Sequence, residues 1–175
     1  MAHTVQIDGD IEGIAYNGNS PYFFLFEAPA HVISINDVSE IKELPSHPDF
    51  AKITRNRKLE ALAIDANGAL YTLPEVASHR VNGFQLYALK EGFWQVVAQV
   101  PSRGFFMVVG ADFGPDNLLY LLERSDSPLG FWTRVRRFDL AQDDLAEEIL
   151  LKRANCPMII LRASAFGWTR RVQHG

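Results

Sequence analysis

Residues 59–75 read LEALAIDANGALYTLPE, two apolar runs joined by a short polar segment. Asn67-Gly68 lies in that segment, and this dipeptide supplies the positive backbone φ angles that a tight hairpin turn needs. The flanking runs are rich in residues that favour strands. The stretch therefore predicts two antiparallel strands joined by a tight turn.

Two weaker copies of this pattern lie elsewhere in the chain. One is VGADFGPDNLLYLLER at 109–124, and a fainter one is EGIAYNGNSPYFFLFE at 12–27. Their tyrosines are evenly spaced, because 71 minus 22 and 120 minus 71 both give 49. Strand-turn-strand units repeated every 40 to 50 residues are typical of propeller blades. The spacing therefore predicts a repeated β architecture.

The repeat predicts an all-β fold, a partial β-propeller of about three four-stranded antiparallel blades with incomplete closure. We expect this propeller at 4–155, with blades at about 4–50, 59–100 and 105–151. Closed propellers generally have about four to eight blades, so an open stack leaves apolar faces and a sheet edge bare at both ends. Three explanations stay open: blades on chain absent from this sequence, self-association through the open blade edges, or an open β structure. The first is favoured.

The composition and charge of the chain limit the kinds of partner that we expect it to bind. The chain is 47% hydrophobic and 22% charged, as in ordinary globular domains. Its formal charge of −4 and the lack of a basic run predict no nucleic-acid and no membrane partner. One cysteine, Cys156, excludes an internal disulfide. No basic region followed by an apolar run opens the sequence, so we expect no signal peptide.

Several segments together resemble a known family. They are Leu59 to Ala63 with Leu70 to Glu75, Gly110 to Asp116 with Leu119 to Arg124, and Arg134 to Phe138. Over roughly residues 11 to 152 the chain resembles the phytase-like family called "esterase-like activity of phytase". The resemblance implies a bacterial propeller that is periplasmic or secreted and longer at both ends. Related propellers include calcium-dependent phytases, which implies Ca²⁺ as the cofactor.

The tail departs from the family pattern. After Leu151 a member is expected to enter a fourth repeat resembling Asp-Asn-Leu-Glu-Gly-Leu-Ser-Val-Trp, whereas residues 158–167 read MIILRASAFG. Codons can be chosen so that one stretch of DNA encodes the expected family repeat in one reading frame and residues 158–167 in the frame that starts one base earlier. The hypothesis is that residues 156–175 are an out-of-frame reading and that downstream blades were lost; gene codons incompatible with the shifted frame would exclude it.

Strand pairing predicts where the carboxylates gather. In a hairpin the start of the first strand lies beside the end of the second, so Glu60 should lie opposite Pro74 and Glu75. The same geometry places Glu12 near Glu27, and Glu123 near Gly110 with Asp112 two residues along on the same face. If these are the inner strands of successive blades, a carboxylate-rich rim forms at one mouth of the channel.

Such a rim offers hard oxygen ligands for calcium, which can bridge phosphate to protein. The predicted metal ligands are Glu60, Glu75 and Asp112; the predicted catalytic carboxylates are these three and Glu123; the predicted anion contacts are Arg124, Arg134 and Arg136. The alternative is that the glutamates are solvated strand ends repeated by blade architecture. Arg134 and Arg136 would then line an exposed face and pair with acidic neighbours.

Two functions from different classes follow. The first is metal-assisted hydrolysis of a phosphoester or other ester, with a small anionic or ester substrate. The second is a non-catalytic propeller that binds a ligand or serves as a structural module. The sequence contains no Gly-x-Ser-x-Gly motif, and its histidines do not have the spacing of metal ligands. Other hydrolytic mechanisms are therefore poorly supported. Because part of any channel is expected to be missing, we expect this fragment to be inactive even if its full-length relatives are enzymes.

Overall fold

The computed structural model describes residues 9–19, 21–27, 29–52, 59–78, 82–127, 130–142 and 144–154. These residues form three four-stranded antiparallel sheets, each with its strands in chain order, and none of the sheets closes on itself. The predicted all-β architecture of three antiparallel units with incomplete closure is confirmed. The predicted out-of-frame tail, 156–175, lies outside the described residues.

The strands divide evenly among the sheets. Sheet 1 contains β1 (Ile11–Ala15), β2 (Tyr22–Phe26), β3 (His31–Ile35) and β4 (Ile41–Glu43). Sheet 2 contains β5 (Leu59–Ile64), β6 (Leu70–Pro74), β7 (Gly83–Lys90) and β8 (Phe93–Pro101). Sheet 3 contains β9 (Met107–Phe113), β10 (Leu119–Ser127), β11 (Gly130–Asp139) and β12 (Ala146–Ala154). A 3₁₀ turn, Phe50–Lys52, lies on the connection between sheets 1 and 2.

A β-bulge recurs in the first hairpin of every sheet. Each bulge leaves one residue of the first strand outside the pairing ladder: Glu12 in β1, Glu60 in β5 and Val109 in β9. A bulge bends its strand and re-aims the side chain of the extra residue. The three bulged residues therefore mark equivalent positions, and they give the true spacing of the repeat.

That spacing corrects the uniform 49-residue period. From Glu60 to Val109 it is 49 residues (109 minus 60), but from Glu12 to Glu60 it is 48 (60 minus 12). The counterpart of Tyr71, which pairs with Ala63, is therefore Phe23, and not Tyr22. A one-residue shift moves a side chain to the other face of its sheet. Phe23 packs against the core between sheets 1 and 2, whereas Tyr22 is 37% exposed on the opposite face.

The core consists of two apolar clusters, one in each seam between successive sheets. The first cluster lies between sheets 1 and 2 and includes Leu25, Val32, Leu62, Leu70 and Trp94. The second lies between sheets 2 and 3 and includes Leu73, Phe84, Leu86, Leu121 and Phe138. Contacts of β1 with β5, and of β5 with β9, place the first strands of the three sheets side by side. The bulged residues therefore come to the same end of the array.

The hairpin turns are stabilised by aspartate. In sheet 2, Asp65 Oδ1 accepts the N–H groups of Asn67 (2.9 Å) and Ala69 (2.8 Å). In sheet 3, Asp116 Oδ1 accepts the Leu118 N–H (3.2 Å), and its Oδ2 accepts the Tyr120 hydroxyl (2.7 Å). Aspartate in turns commonly bonds nearby backbone amides in this way. These contacts account for both residues without a functional role.

Replacing Phe84 with alanine tests the seam between sheets 2 and 3. Phe84 is fully buried, so Phe84→Ala should cost about 3–5 kcal/mol of unfolding free energy through lost transfer energy and cavity formation. Phe93, in the same sheet, is 69% exposed, and Phe93→Ala should change stability by no more than about 0.5 kcal/mol. Urea denaturation measures both, and equal losses would contradict the assigned core.

Candidate metal centre

Three carboxylates come together where β1 begins and β2 ends. Asp10, Glu12 and Glu27 each offer one oxygen within 4.8 Å of the others. The hairpin explains their approach, because Ile11 pairs with Phe26 and the Glu27 N–H donates to the Asp10 carbonyl (3.3 Å). The predicted proximity of Glu12 and Glu27 is confirmed. Asp10 is not among the predicted site residues, and its only signal in the sequence is its position two residues before Glu12.

Glu12 is the member of this cluster whose pKa is raised by burial and by its neighbours. Its pKa is raised to about 7, first by desolvation, next by a hydrogen bond with Glu27, and then by the negative charges of Glu60, Asp10 and Glu27. The cluster therefore cannot become fully ionised near neutral pH without repulsion between its carboxylates. A bound cation would remove that repulsion.

Glu60 and Glu75 flank the next hairpin. Glu60 occupies the bulge of β5, the position equivalent to Glu12, and its charge acts on Glu12 across the seam. Glu75 follows β6, and its backbone carbonyl accepts the N–H of Val108 (3.0 Å) at the start of β9. The charge of Glu60 thus reaches the carboxylate cluster of sheet 1, of which Glu60 is not a member, whereas the Glu75 backbone lies at the seam between sheets 2 and 3.

Asp112 and Glu123 are not brought together. The bulge at Val109 shifts the ladder, so Glu123 pairs with Val108 rather than Gly110, and Asp112 pairs with Tyr120. Tyr120 and Glu123 are three residues apart, which is about 10 Å along a strand. Asp112 therefore lies toward the turn end of the hairpin. Desolvation raises the pKa of Asp112, opposed by a hydrogen bond from the Phe113 N–H (2.9 Å).

Glu123 is fully buried between two arginines. Its Oε2 accepts Arg134 Nε (2.7 Å) and Arg136 Nε (2.8 Å), and its Oε1 accepts Arg136 Nη2. Arg136 Nη1 also donates to the Pro101 carbonyl (2.9 Å) and to Glu147 (3.0 Å). This ion network ties β10, β11 and β12 to the end of β8. The alternative that Arg134 and Arg136 pair with acidic neighbours is thus correct, but both are buried rather than exposed.

The network leaves these groups little freedom to act on a ligand. Both Glu123 oxygens and all three Arg136 nitrogens already have partners. Arg134 Nη1 donates to the Arg103 carbonyl (3.2 Å), its guanidinium lies 4.0 Å from the Phe106 ring centre, and its buried Nη2 lacks a hydrogen-bond partner. Arg124 lies on the opposite face of β10, where its Nε is ion-paired with Asp126 Oδ1 (3.4 Å) but makes no hydrogen bond.

Fold and site together define a class of protein, an open array of three propeller-type blades with acidic residues at one mouth. The chain belongs to the phytase-like family described as "esterase-like activity of phytase", because a model of that family matches residues 4–163. The matched segment extends beyond residue 155, where the predicted propeller ends. No curated protein matches the chain.

One solved structure is similar to this chain, the virginiamycin B lyase from Staphylococcus aureus. The two are 14% identical, with a TM-score of 0.46 over 79% of this chain and 54% of the lyase. The chain therefore spans about half the length of that protein. Within the described ranges, no helix is long and apolar enough to cross a membrane.

The buried ion network can be tested by neutralising its centre. Glu123→Gln leaves Arg134 and Arg136 without their shared carboxylate, which should cost about 3–5 kcal/mol of unfolding free energy. Glu148, whose ion pair with Arg137 is exposed, is the matched control, and Glu148→Gln should cost less than about 1 kcal/mol. Urea denaturation at pH 7 measures both; similar costs would show that the network is not buried in solution.

The acidic cluster predicts an unusual pH dependence. The pKa of Glu12 is raised in the folded protein, so its contribution to stability is full below pH 4.5 and is lost as the pH rises through about 7. Glu12→Gln should remove the part that Glu12 contributes to the slope of stability against pH. It should also raise the melting temperature at pH 8 by about 2–4 °C, which corresponds to about 1 kcal/mol once solvent screening is allowed for.

These melting curves are measured in EDTA, so that no cation occupies the cluster. Glu43→Gln removes an exposed carboxylate on β4 of the same sheet and should leave the slope unchanged. A wild-type stability that is flat between pH 5 and 8, or a destabilised Glu12→Gln protein at pH 8, would contradict the assignment.

Proposed function

We propose that Asp10, Glu12 and Glu27, with Glu60 beside them, bind a calcium ion at the mouth of the blades. The observation that carries this proposal is the meeting of three carboxylates within 4.8 Å, with the pKa of Glu12 raised to about 7. Carboxylate oxygens are the ligands that calcium prefers, and the desolvated, mutually repelling cluster fits a divalent cation. Glu60 is a predicted ligand that we propose as a neighbour of this centre, because its charge acts on Glu12.

Two other predicted ligands stand apart from this centre. Asp112 lies toward the turn end of its hairpin, opposite Tyr120, and Glu75 bonds through its backbone to the start of sheet 3. We therefore assign neither of them to the calcium site. The third sheet carries Val109 at the bulge, where sheets 1 and 2 carry glutamate. The proposed site thus belongs to the seam between sheets 1 and 2.

For the whole propeller we propose metal-assisted hydrolysis of a phosphoester or carboxylic ester, with a small anionic or ester substrate. A bound cation supplies charge neutralisation and Lewis-acid polarisation of a substrate oxygen. Family membership supports this proposal. From the same membership we propose a periplasmic or secreted location.

For this chain by itself we propose cation binding without turnover. The internal pairing of Glu123, Arg134 and Arg136 favours this second function, because those groups hold one another rather than face an open site. The chain then serves as a ligand-binding or structural unit.

Calcium should stabilise the protein through the cluster. At about ten times its dissociation constant, calcium should add roughly 1.4 kcal/mol, which raises the melting temperature by about 3–5 °C. Glu12→Gln combined with Glu27→Gln should abolish the shift, whereas Glu43→Gln should preserve it. Binding should weaken below pH 7 as Glu12 takes up its proton.

Calorimetric titration with calcium gives a direct measurement, and an unchanged melting temperature in millimolar calcium would exclude the site. Turnover is measured with p-nitrophenyl phosphate and p-nitrophenyl acetate, with calcium and with EDTA. The chain should hydrolyse neither substrate. Calcium-dependent hydrolysis that disappears in the double variant would instead make this chain an enzyme by itself.

A further inference from the structure

The outer face of sheet 1 is built like a face that packs inside the protein. The face of sheet 2 that packs on sheet 1 carries Leu59, Leu62, Ile64 and Leu70. Subtracting the 48-residue spacing gives the equivalent residues of sheet 1: Ile11, Ile14, Tyr16 and Tyr22. All four are apolar or aromatic, yet Ile11 is 39% and Ile14 is 43% exposed. We call these four residues the blade-1 outer face.

Sheet 3 ends the array with the opposite kind of face. The face of sheet 2 that packs on sheet 3 carries Ala61, Leu73 and Leu86. Adding the 49-residue spacing gives Gly110, Leu122 and Val135. Leu151, which pairs with Val135, is 42% exposed. These four sheet 3 residues form the blade-3 outer face, and no contact of the described strands covers either outer face.

The two outer faces are of complementary kinds. We call the face that a sheet turns toward the next sheet in the chain its forward face, and the opposite face its rear face. In both internal seams, the forward face of one sheet packs on the rear face of the next. The blade-3 outer face is a forward face, and the blade-1 outer face is a rear face. We propose that two copies of this chain associate head to tail, with blade 3 of each packed on blade 1 of the other. Three blades from each copy make six, which lies within the range of closed propellers, and two such contacts close a two-fold ring.

Charge supports a second copy as the occupant. In the seam between sheets 2 and 3, the Glu75 carbonyl bonds the Val108 N–H. The repeat spacing converts Glu75 into Arg124 (75 plus 49) and Val108 into Ile11 (108 minus 49 minus 48). Arg124 of one copy would therefore lie beside Ile11 of the second copy, next to its acidic cluster. Arg124 Nε is ion-paired with Asp126 of its own strand at 3.4 Å but makes no hydrogen bond, so the contact offers this guanidinium a second carboxylate.

Sedimentation velocity of the full chain tests the proposal. In EDTA, which makes the result independent of calcium, about 100 μM protein should sediment with twice the 19.7 kDa mass of one chain. Ile14→Asp should weaken dimerisation at least tenfold. Phe93→Asp alters a residue that is 69% exposed but lies on neither outer face, and it should remain dimeric. Circular dichroism checks that each variant is folded.

Mixing distinguishes head-to-tail contact from other arrangements. Leu122→Asp should also be monomeric, yet a mixture with Ile14→Asp should form a heterodimer, because each variant keeps one intact face. A Leu122→Asp protein that still dimerises would show blade 1 packed on blade 1 and would overturn the proposal. Species larger than a dimer would overturn the closed ring.

Charge reversal provides a test that does not alter the apolar faces. Arg124→Glu should weaken the dimer about tenfold, and adding Asp10→Lys to the same chain should restore it. Wild-type protein that is monomeric at about 100 μM would overturn the proposal, leaving both outer faces to blades outside this chain. Failure of the charge swap with an intact dimer would overturn the contact assigned to Arg124.

Discussion

The structure depends on the burial of sheet faces against one another. A four-stranded sheet of this composition has two apolar faces, and each of them must be buried against another layer. Sheet 2 achieves this on both sides, and the two core clusters are the result. In sheets 1 and 3, the described strands cover one face and leave the other face bare. Stability and the side-by-side placement of the first strands therefore derive from one constraint, and the proposed association of two copies follows from the same constraint.

The sequence predicts the architecture well because local signals agree with the repeat. Asn67-Gly68 and the alternating apolar runs define the hairpins, and the residues 48 or 49 positions apart occupy equivalent places. The first interval was predicted one residue too long, because Tyr22 precedes Phe23 and both suit a strand. Identity of side chains is a weaker guide to register than the position of the bulge, and bulges have little sequence signature.

The candidate site was predictable only where pairing alone determines it. Glu12 and Glu27 meet because their strands end together, as any hairpin requires. Asp112 and Glu123 separate because one extra residue in β9 shifts the ladder. Arg134 and Arg136 alternate along a strand as solvent-facing residues would, so their burial could not be inferred until the partner Glu123 was located on the same face.

The recurrent bulge separates chemistry from architecture. A residue outside the ladder forms none of the pairing on which its sheet depends, so its side chain can change at little cost to the fold. Glu12, Glu60 and Val109 illustrate this, with the same backbone position acidic in two sheets and apolar in the third. The charge at this end of the array is thus set one blade at a time, while the core clusters of both seams stay apolar.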